Sequence, residues 1–204
     1  MHTIVLPANE PESLERALAV LRSGGLVAFP TDTVYGVGAL AFDARAVERI
    51  YRAKERSPEK SIPVLLGAVA DLDLVARNVP ETAERMAHRF WPGPLTLVLE
   101  KQPRLPDAVA GPTVGVRQPD HPVAGALLRR AGPLAVTSAN ISGLPSPCTA
   151  QDVLAQLESR VDLILDGGST PGGIPSTVVD CLQPQLLILR EGPVSLEDLK
   201  AALA

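Results

Sequence analysis

Apolar positions along the chain switch between a period of about two and a period of about three and a half, predicting alternating strands and helices. Thr3-Ile-Val-Leu6 reads as a short first strand. Pro11 then opens a helix whose inward stripe is Leu14, Ala17, Leu18 and Leu21, stopped at Gly24-Gly25. Leu26-Val-Ala-Phe29 is short, continuous and apolar, as a buried strand should be. It runs into Pro30-Thr-Asp-Thr-Val-Tyr-Gly-Val-Gly38, a polar, glycine-punctuated segment at a strand end, the kind of place where ligand groups collect in α/β folds. Val47, Ile50, Tyr51 and Lys54 recur at helical spacing, so Lys54 falls on the stripe that faces inward. Pro58 biases Ser57 away from the helical region, which predicts a helix end near Arg56. Ile62-Pro-Val-Leu-Leu66 begins another buried strand.

Further along, Met86 and Phe90 share one side of a helix over Glu81 to Phe90, ended by Trp91-Pro-Gly-Pro94. The lone tryptophan is expected to anchor the core. Leu95 to Leu99 and Thr113 to Arg117 read as strands, with Arg117 at a strand end. His121 is expected in a turn, because no second histidine or cysteine lies close enough in sequence to make a metal pair. Leu134 to Thr137 is a strand that ends in Ser138-Ala-Asn140-Ile-Ser-Gly-Leu-Pro-Ser146, small hydroxyl and amide groups that either shape turns or face a ligand. A helix and the strand Leu163 to Leu165 lead to a glycine-rich loop, Asp166 to Pro175, which is either a lid or a plain surface loop. Ser176 to Asp180 and Leu186 to Arg190 read as paired strands joined by a turn near Pro184, and Ser195-Leu-Glu-Asp198 starts a C-terminal helix with a capping box. No repeat or linker divides the sequence, so one domain over residues 1–204 is expected.

Composition narrows the function more than the fold. The 204 residues carry 46% hydrophobic and 21% charged side chains, ordinary for a folded globular chain. With a net charge of −4 and 3% aromatics, the sequence argues against a broad nucleic-acid surface, and contact with RNA is expected to be possible but weak. Any anion site must be local. Cys148 and Cys181 make neither a metal-ligand spacing nor a disulfide framework. No signal-peptide pattern or membrane-length apolar run occurs, so a cytoplasmic protein without a membrane partner is expected. P-loop and dinucleotide fingerprints are missing. The local candidate is Lys54-Glu-Arg56-Ser-Pro-Glu-Lys60, whose cations either complement a helix C-terminus or line an anion site.

Seven segments together resemble the YrdC-like family of threonylcarbamoyl-AMP synthases, in family order from about residue 15 to 193. They are Pro30-Thr-Asp-Thr-Val-Tyr-Gly, Lys54-x-Arg56, Trp91-Pro-Gly-Pro-Leu-Thr, Val116-Arg-x-Pro-x-His-Pro122, Ser138-x-Asn140 with Ser-Gly following, Ser176-Thr-Val-Val-Asp and Arg190-x-Gly192. The resemblance implies an α/β fold, a twisted mixed β-sheet flanked by helices with a concave, positively lined cleft. It implies a nucleotidyltransferase that joins L-threonine, bicarbonate or carbon dioxide, and ATP into threonylcarbamoyl-AMP and pyrophosphate. Partner transferase proteins then use the adenylate to modify an adenosine beside the anticodon of certain tRNAs.

By the same resemblance, Thr33, Arg117 and Ser176 match threonine-binding positions. Arg56, Lys60, Thr113, Ser138, Ser146 and Arg190 match ATP-binding positions, and Lys54, Arg56, Ser138 and Asn140 match a polar tetrad implied to be catalytic. The residue types suit the chemistry, since an arginine fork holds a carboxylate by two parallel hydrogen bonds. Charge gathering on phosphoryl oxygens calls for fixed cations. Magnesium is expected to arrive with ATP, and no protein metal site is expected. No histidine or cysteine is placed as a nucleophile, so positioning and charge are expected to carry the reaction. Replacing Lys54 or Arg56 by alanine is expected to abolish adenylate formation with the fold intact. Three positions depart from the family pattern: Ser57 precedes Pro58, Leu65 stands where relatives often have histidine, and Cys148 where they often have threonine. The chain ends at Ala204, where longer members continue into a further domain, so the short form is expected. A non-catalytic RNA-binding or ribosome-maturation module is the alternative from another class, and a carbamoyl-transfer domain is a third.

Overall fold

Short strands and longer helices alternate through the computed structural model, which describes residues 2–171, 174–183 and 185–203. The first elements are β1 (Ile4–Pro7), α1 (Pro11–Arg22), β2 (Val27–Pro30), β3 (Tyr35–Leu40) and α2 (Ala44–Lys54). There follow β4 (Val64–Leu65), a 3-10 turn at Val69–Asp71, α3 (Leu72–Val75), β5 (Ala76–Arg77), α4 (Glu81–Phe90) and β6 (Leu95–Lys101). Then come β7 (Thr113–Arg117), α5 (Pro122–Ala131), β8 (Leu134–Ser138), α6 (Ala150–Leu157), β9 (Leu163–Asp166), β10 (Thr177–Asp180), β11 (Leu187–Arg190) and α7 (Leu196–Leu203).

Local chemistry sets the helix ends. Pro11 sits in the first turn of α1. The Asp43 carboxylate accepts the Ala46 N–H at 3.0 Å to start α2, and Glu55, in the left-handed region at φ 54°, closes it. Thr149 with Asp152, and Ser195 with Asp198, form reciprocal capping bonds for α6 and α7.

The strands form one mixed sheet in the order β1-β9-β2-β3-β8-β4-β7-β6-β10-β11, with β5 beside β6. Pairing is parallel for β1 with β9, β2 with β9, β4 with β7 and β6 with β10, and antiparallel elsewhere. β3 and α5 are absent from the sequence reading, as are the short elements between Val69 and Arg77. β3 occupies much of the segment expected to be a loop, because its glycines mark close packing rather than a turn. A Cβ on Gly36 or Gly38 would meet the Val136 side chain of β8 at 2.7 or 2.8 Å. α5 follows directly on His121, which is not a plain turn residue: its Nδ1 accepts the Val123 N–H at 3.2 Å and caps the helix.

Helices cover the two faces of the sheet unequally. On one face, Val47, Ile50, Met86, Val153 and Leu157 from α2, α4 and α6 join Val64, Leu97, Leu99, Val114, Val116 and Val179 in a continuous core. On the other, Ala17, Leu18 and Leu21 of α1 and Ala124, Leu127 and Leu128 of α5 pack on Phe29, Leu163, Leu134 and Leu65. Leu65 of β4 lies opposite Arg117 of β7, so the two share a face. Beyond Leu65 this face loses its helices. Thr113, Gly115, Val98, Glu100, Val178 and Asp180 stand there partly exposed, while Val114, Val116, Leu97, Leu99 and Val179, pointing the opposite way, are fully buried. Half of the sheet thus offers one bare face.

Candidate active site on the bare sheet face

Arg117 ends β7 at the border between the covered and bare parts of this face. Its side chain is 8% exposed, and each of its nitrogens is engaged. Nε donates to the Gly93 carbonyl at 2.9 Å, Nη1 to Thr33 Oγ1 at 3.3 Å and Nη2 to the Asp32 carboxylate at 2.5 Å. The turn between β2 and β3 brings Asp32 and Thr33 over β7. Thr31 holds that turn in shape, its hydroxyl donating to the Val34 carbonyl at 2.7 Å and sharing a 3.1 Å bond with Thr33 Oγ1.

Ser176 and Arg190 meet at the neighbouring strands. Arg190 donates to the Ser176 carbonyl from Nε and Nη2, at 3.0 and 2.8 Å, and to its hydroxyl at 3.0 Å. The Ser176 hydroxyl also bonds Thr96 Oγ1 at 2.8 Å. Burial, and then the like charge of Arg117, hold the Arg190 guanidinium below its ordinary value. The structure therefore brings Thr33, Arg117, Ser176 and Arg190 into one polar cluster.

A second cluster surrounds the exit of β8. Lys54, 1% exposed, turns its ammonium onto the carbonyls of Ser138 and Asn140, with Asn140 Oδ1 at 3.4 Å. Burial, and next the charge of Arg56, pull the Lys54 ammonium down to about 7. The Asn140 amide donates to the Ile141 and Leu144 carbonyls, both at 2.8 Å. Lys54 thus gathers the chain around Ser138 and Asn140. The two clusters join through β3, since Gly36 pairs with Ser138 and the Ala139 N–H donates to the Tyr35 carbonyl.

The remaining expected ligand residues are more dispersed. Arg56 bonds the Lys60 and Ser61 carbonyls at 3.1 and 2.9 Å, and burial lowers its pKa. Lys60 and Ser146 are exposed, and among the described residues their side chains bond no protein group. Thr113 borders a depression of about 510 Å³ that Arg77, Glu100, Lys101 and Asp107 also line. The Arg77–Glu100 and Lys101–Asp107 ion pairs fill its polar wall, so the depression is a weaker site than the Arg117 cluster. Leu65 is buried among Ala124, Leu127 and Leu128 of α5 and offers no polar contact.

The glycine-rich loop, read as either a lid or a plain surface loop, is fastened in its first half. Tyr35 donates its hydroxyl to the Gly168 carbonyl at 2.6 Å and accepts the Gly167 N–H at 3.2 Å, and burial pushes its pKa up to about 12. The Thr170 N–H donates to the Cys148 carbonyl at 2.9 Å. Gly172 and Gly173 of that loop, and Pro184 of the turn before β11, lie outside the described residues. Sequence reading missed Asp32 and Thr96 as members of the site. Both lie inside the quoted motif segments, and alternation along β6 places Thr96 on the bare face beside Val98.

A mixed β-sheet flanked by helices, with one bare face bordered by two guanidiniums and small hydroxyls, defines the fold class. The chain belongs to the Sua5/YciO/YrdC family, whose model, described as "Telomere recombination", matches residues 19–192. It is 43% identical over 190 residues to a threonylcarbamoyl-AMP synthase of Pyrococcus abyssi, covering 92% of this chain and 56% of that protein. It is 42% identical over 202 residues to the threonylcarbamoyl-AMP synthase of Bacillus subtilis, covering 97% and 58%. The crystal structure of P. abyssi Sua5 complexed with L-threonine superposes with a TM-score of 0.94 at 40% identity, covering 100% of this chain and 61% of that one. The chain spans a little over half the length of these two curated relatives. Among the described residues no helix is long and apolar enough to cross a membrane.

Proposed function

We propose that this chain is an L-threonylcarbamoyladenylate synthase, condensing L-threonine, bicarbonate or carbon dioxide, and ATP into threonylcarbamoyl-AMP and pyrophosphate. The observation that carries the reading is the convergence of Arg117, Thr33, Ser176 and Arg190 on one end of the bare sheet face. The likeness to relatives named for this activity, and to P. abyssi Sua5 seen with L-threonine, supports it. In this reading Arg117 takes the α-carboxylate, and Thr33 and Ser176 read the substrate hydroxyl. A site that bonds that hydroxyl rejects analogues lacking it far better than an apolar pocket rejects a change of size.

ATP lies along the bare face, with cations at its border. Arg56, Lys60, Thr113, Ser138, Ser146 and Arg190 are its contacts. The carbamate oxygen attacks the α-phosphorus and pyrophosphate leaves. Charge that builds on the phosphoryl oxygens is met by Arg56, Lys60 and Arg190, the cations free to reach solvent. Lys54 and Asn140 serve this step by fixing the backbone at Ser138. Magnesium accompanies the triphosphate as its counter-ion. The product passes in the cytoplasm to transferase proteins that modify tRNA. With few cations on the bare face and a net charge of −4, an RNA-binding module is the weaker reading.

The test is pyrophosphate release from ATP and magnesium, with threonine and bicarbonate omitted in turn. Release that requires every substrate, with a threonine-containing adenylate in the mass spectrum, is expected. A folded protein that binds ATP and releases nothing would overturn the assignment.

A further inference from the structure

One atom of the Arg117 cluster has no partner. The Asp32 carboxylate, with its side chain 14% exposed, gives Oδ1 to Arg117 Nη2, while Oδ2 is buried and accepts no hydrogen bond among the described residues. Buried carboxylate oxygens are normally bonded, so an orphan acceptor beside a ligand site marks the place of a donor that arrives with the ligand. The charges around it agree. Arg117 and Arg190 lie within electrostatic reach of each other, and Asp32 is the carboxylate paired with the first of them. His121 is also within electrostatic reach of Asp32. Burial lowers its pKa, against the charges of Asp32 and Asp120, and among the described residues it makes no hydrogen bond to Oδ2.

We propose that Asp32 recognises the α-ammonium of the substrate while Arg117 takes its α-carboxylate, so that the pair selects an amino-acid zwitterion. The proposal rests on the reading of this site as an amino-acid site. Asp32 and Arg117 touch directly, so a ligand meets both only if its cation and anion are separated by very little. An α-amino acid, with one carbon between the two, satisfies this, and β- or γ-amino acids do so poorly. A simple hydroxy acid brings its carboxylate close to that of Asp32 and carries no ammonium of its own to meet Oδ2. Before ligand arrives, Asp32 keeps the guanidinium in place. Once the amine gives up its proton it still has an N–H to donate, so Asp32 holds it throughout.

The test is equilibrium binding of L-threonine and of 3-hydroxybutyrate, which is threonine without its amine, to the full chain and to Asp32→Asn. Wild type is expected to bind threonine at least about 10-fold, and up to about 100-fold, more tightly than 3-hydroxybutyrate, the scale of one charged hydrogen bond. Asp32→Asn is expected to lose most of that preference by weakening threonine, with 3-hydroxybutyrate unchanged or tighter. Equal weakening of both ligands would reduce Asp32 to a support for Arg117 and overturn the proposal, as would unchanged threonine binding. If Asp32→Asn does not fold, the wild-type series decides alone, because equal affinity for both ligands refutes ammonium recognition. Failure of wild type to bind threonine at all would instead remove the amino-acid reading of the site, and this proposal with it.

Discussion

Lys54→Met isolates what the buried ammonium does for the fold. Methionine keeps most of the bulk of the stem and opens little cavity, so the change removes chiefly the donor. The carbonyls of Ser138 and Asn140 then stand without the group that satisfied them, and Asn140 Oδ1 loses a weak third contact at 3.4 Å. Each buried acceptor left unbonded costs about 1–3 kcal/mol. Against this stands relief from burying a charge, an adverse effect already visible in a pKa pulled down to about 7. The net expectation is a loss of about 2–4 kcal/mol, since removing one member of a buried polar set costs more than the relief returns. Urea unfolding at neutral pH without ligands measures it, and hydrogen exchange should locate the loosening at Asn140 to Leu144. A variant as stable as wild type, or more stable, would refute the reasoning and show that burying the charge dominates.

The same group gives a pH signature. With a native pKa near 7 against an ordinary value of 10.5, the folded protein binds fewer protons than the unfolded chain between those limits, so stability should rise with pH across that window. Unfolding free energies of wild type should gain on those of Lys54→Met from pH 7 to pH 9.5, and a flat difference would exclude the lowered pKa. Tyr35→Phe removes the hydroxyl that holds Gly167 and Gly168. It should cost roughly 1–3 kcal/mol and speed amide exchange at Gly167, whereas unchanged exchange there would show that the loop is held by other contacts. Gly192→Ala would set a Cβ at 2.6 Å from the Pro175 carbonyl and close against Thr177 N. The shift of the Ser176 segment should weaken threonine binding by about 10-fold or more, on the scale of a lost charged hydrogen bond, and undiminished binding would show that the segment tolerates the displacement.

How far the sequence could be read depends on the range of the contact involved. The stripe Val47, Ile50, Tyr51, Lys54 correctly turns Lys54 inward, because helical spacing is local information. Arg117 ends its strand as alternation indicates. β3 was hidden because Gly36 and Gly38 are there for the sake of Val136, about a hundred residues later, a reason invisible at the glycines themselves. α5 was hidden because its buried stripe is only Ala124, Leu127 and Leu128, too short to stand out after Asp120-His-Pro122. Asp32 lay in plain view inside a quoted motif. Its importance comes from a turn that reaches Arg117, 85 positions along the chain. Motif segments mark where the site is, and only the fold tells which side chains in them meet.

The pairing of β1 with β9 bears on how the molecule is made. Thr3 donates to the Val161 carbonyl across 158 positions, and β2 leans on the same late strand. Synthesis proceeds toward the C-terminus, so α1 and the strands beside it emerge long before β9 exists. Leu18, Leu21 and Phe29, fully enclosed at the end, have no complete sheet to enclose them until Leu163 to Leu165 emerge. Association of this kind is slow, and the waiting surface is sticky. Nascent chains stopped short of residue 160 should therefore aggregate or recruit chaperones, while chains a few tens of residues longer settle on their own.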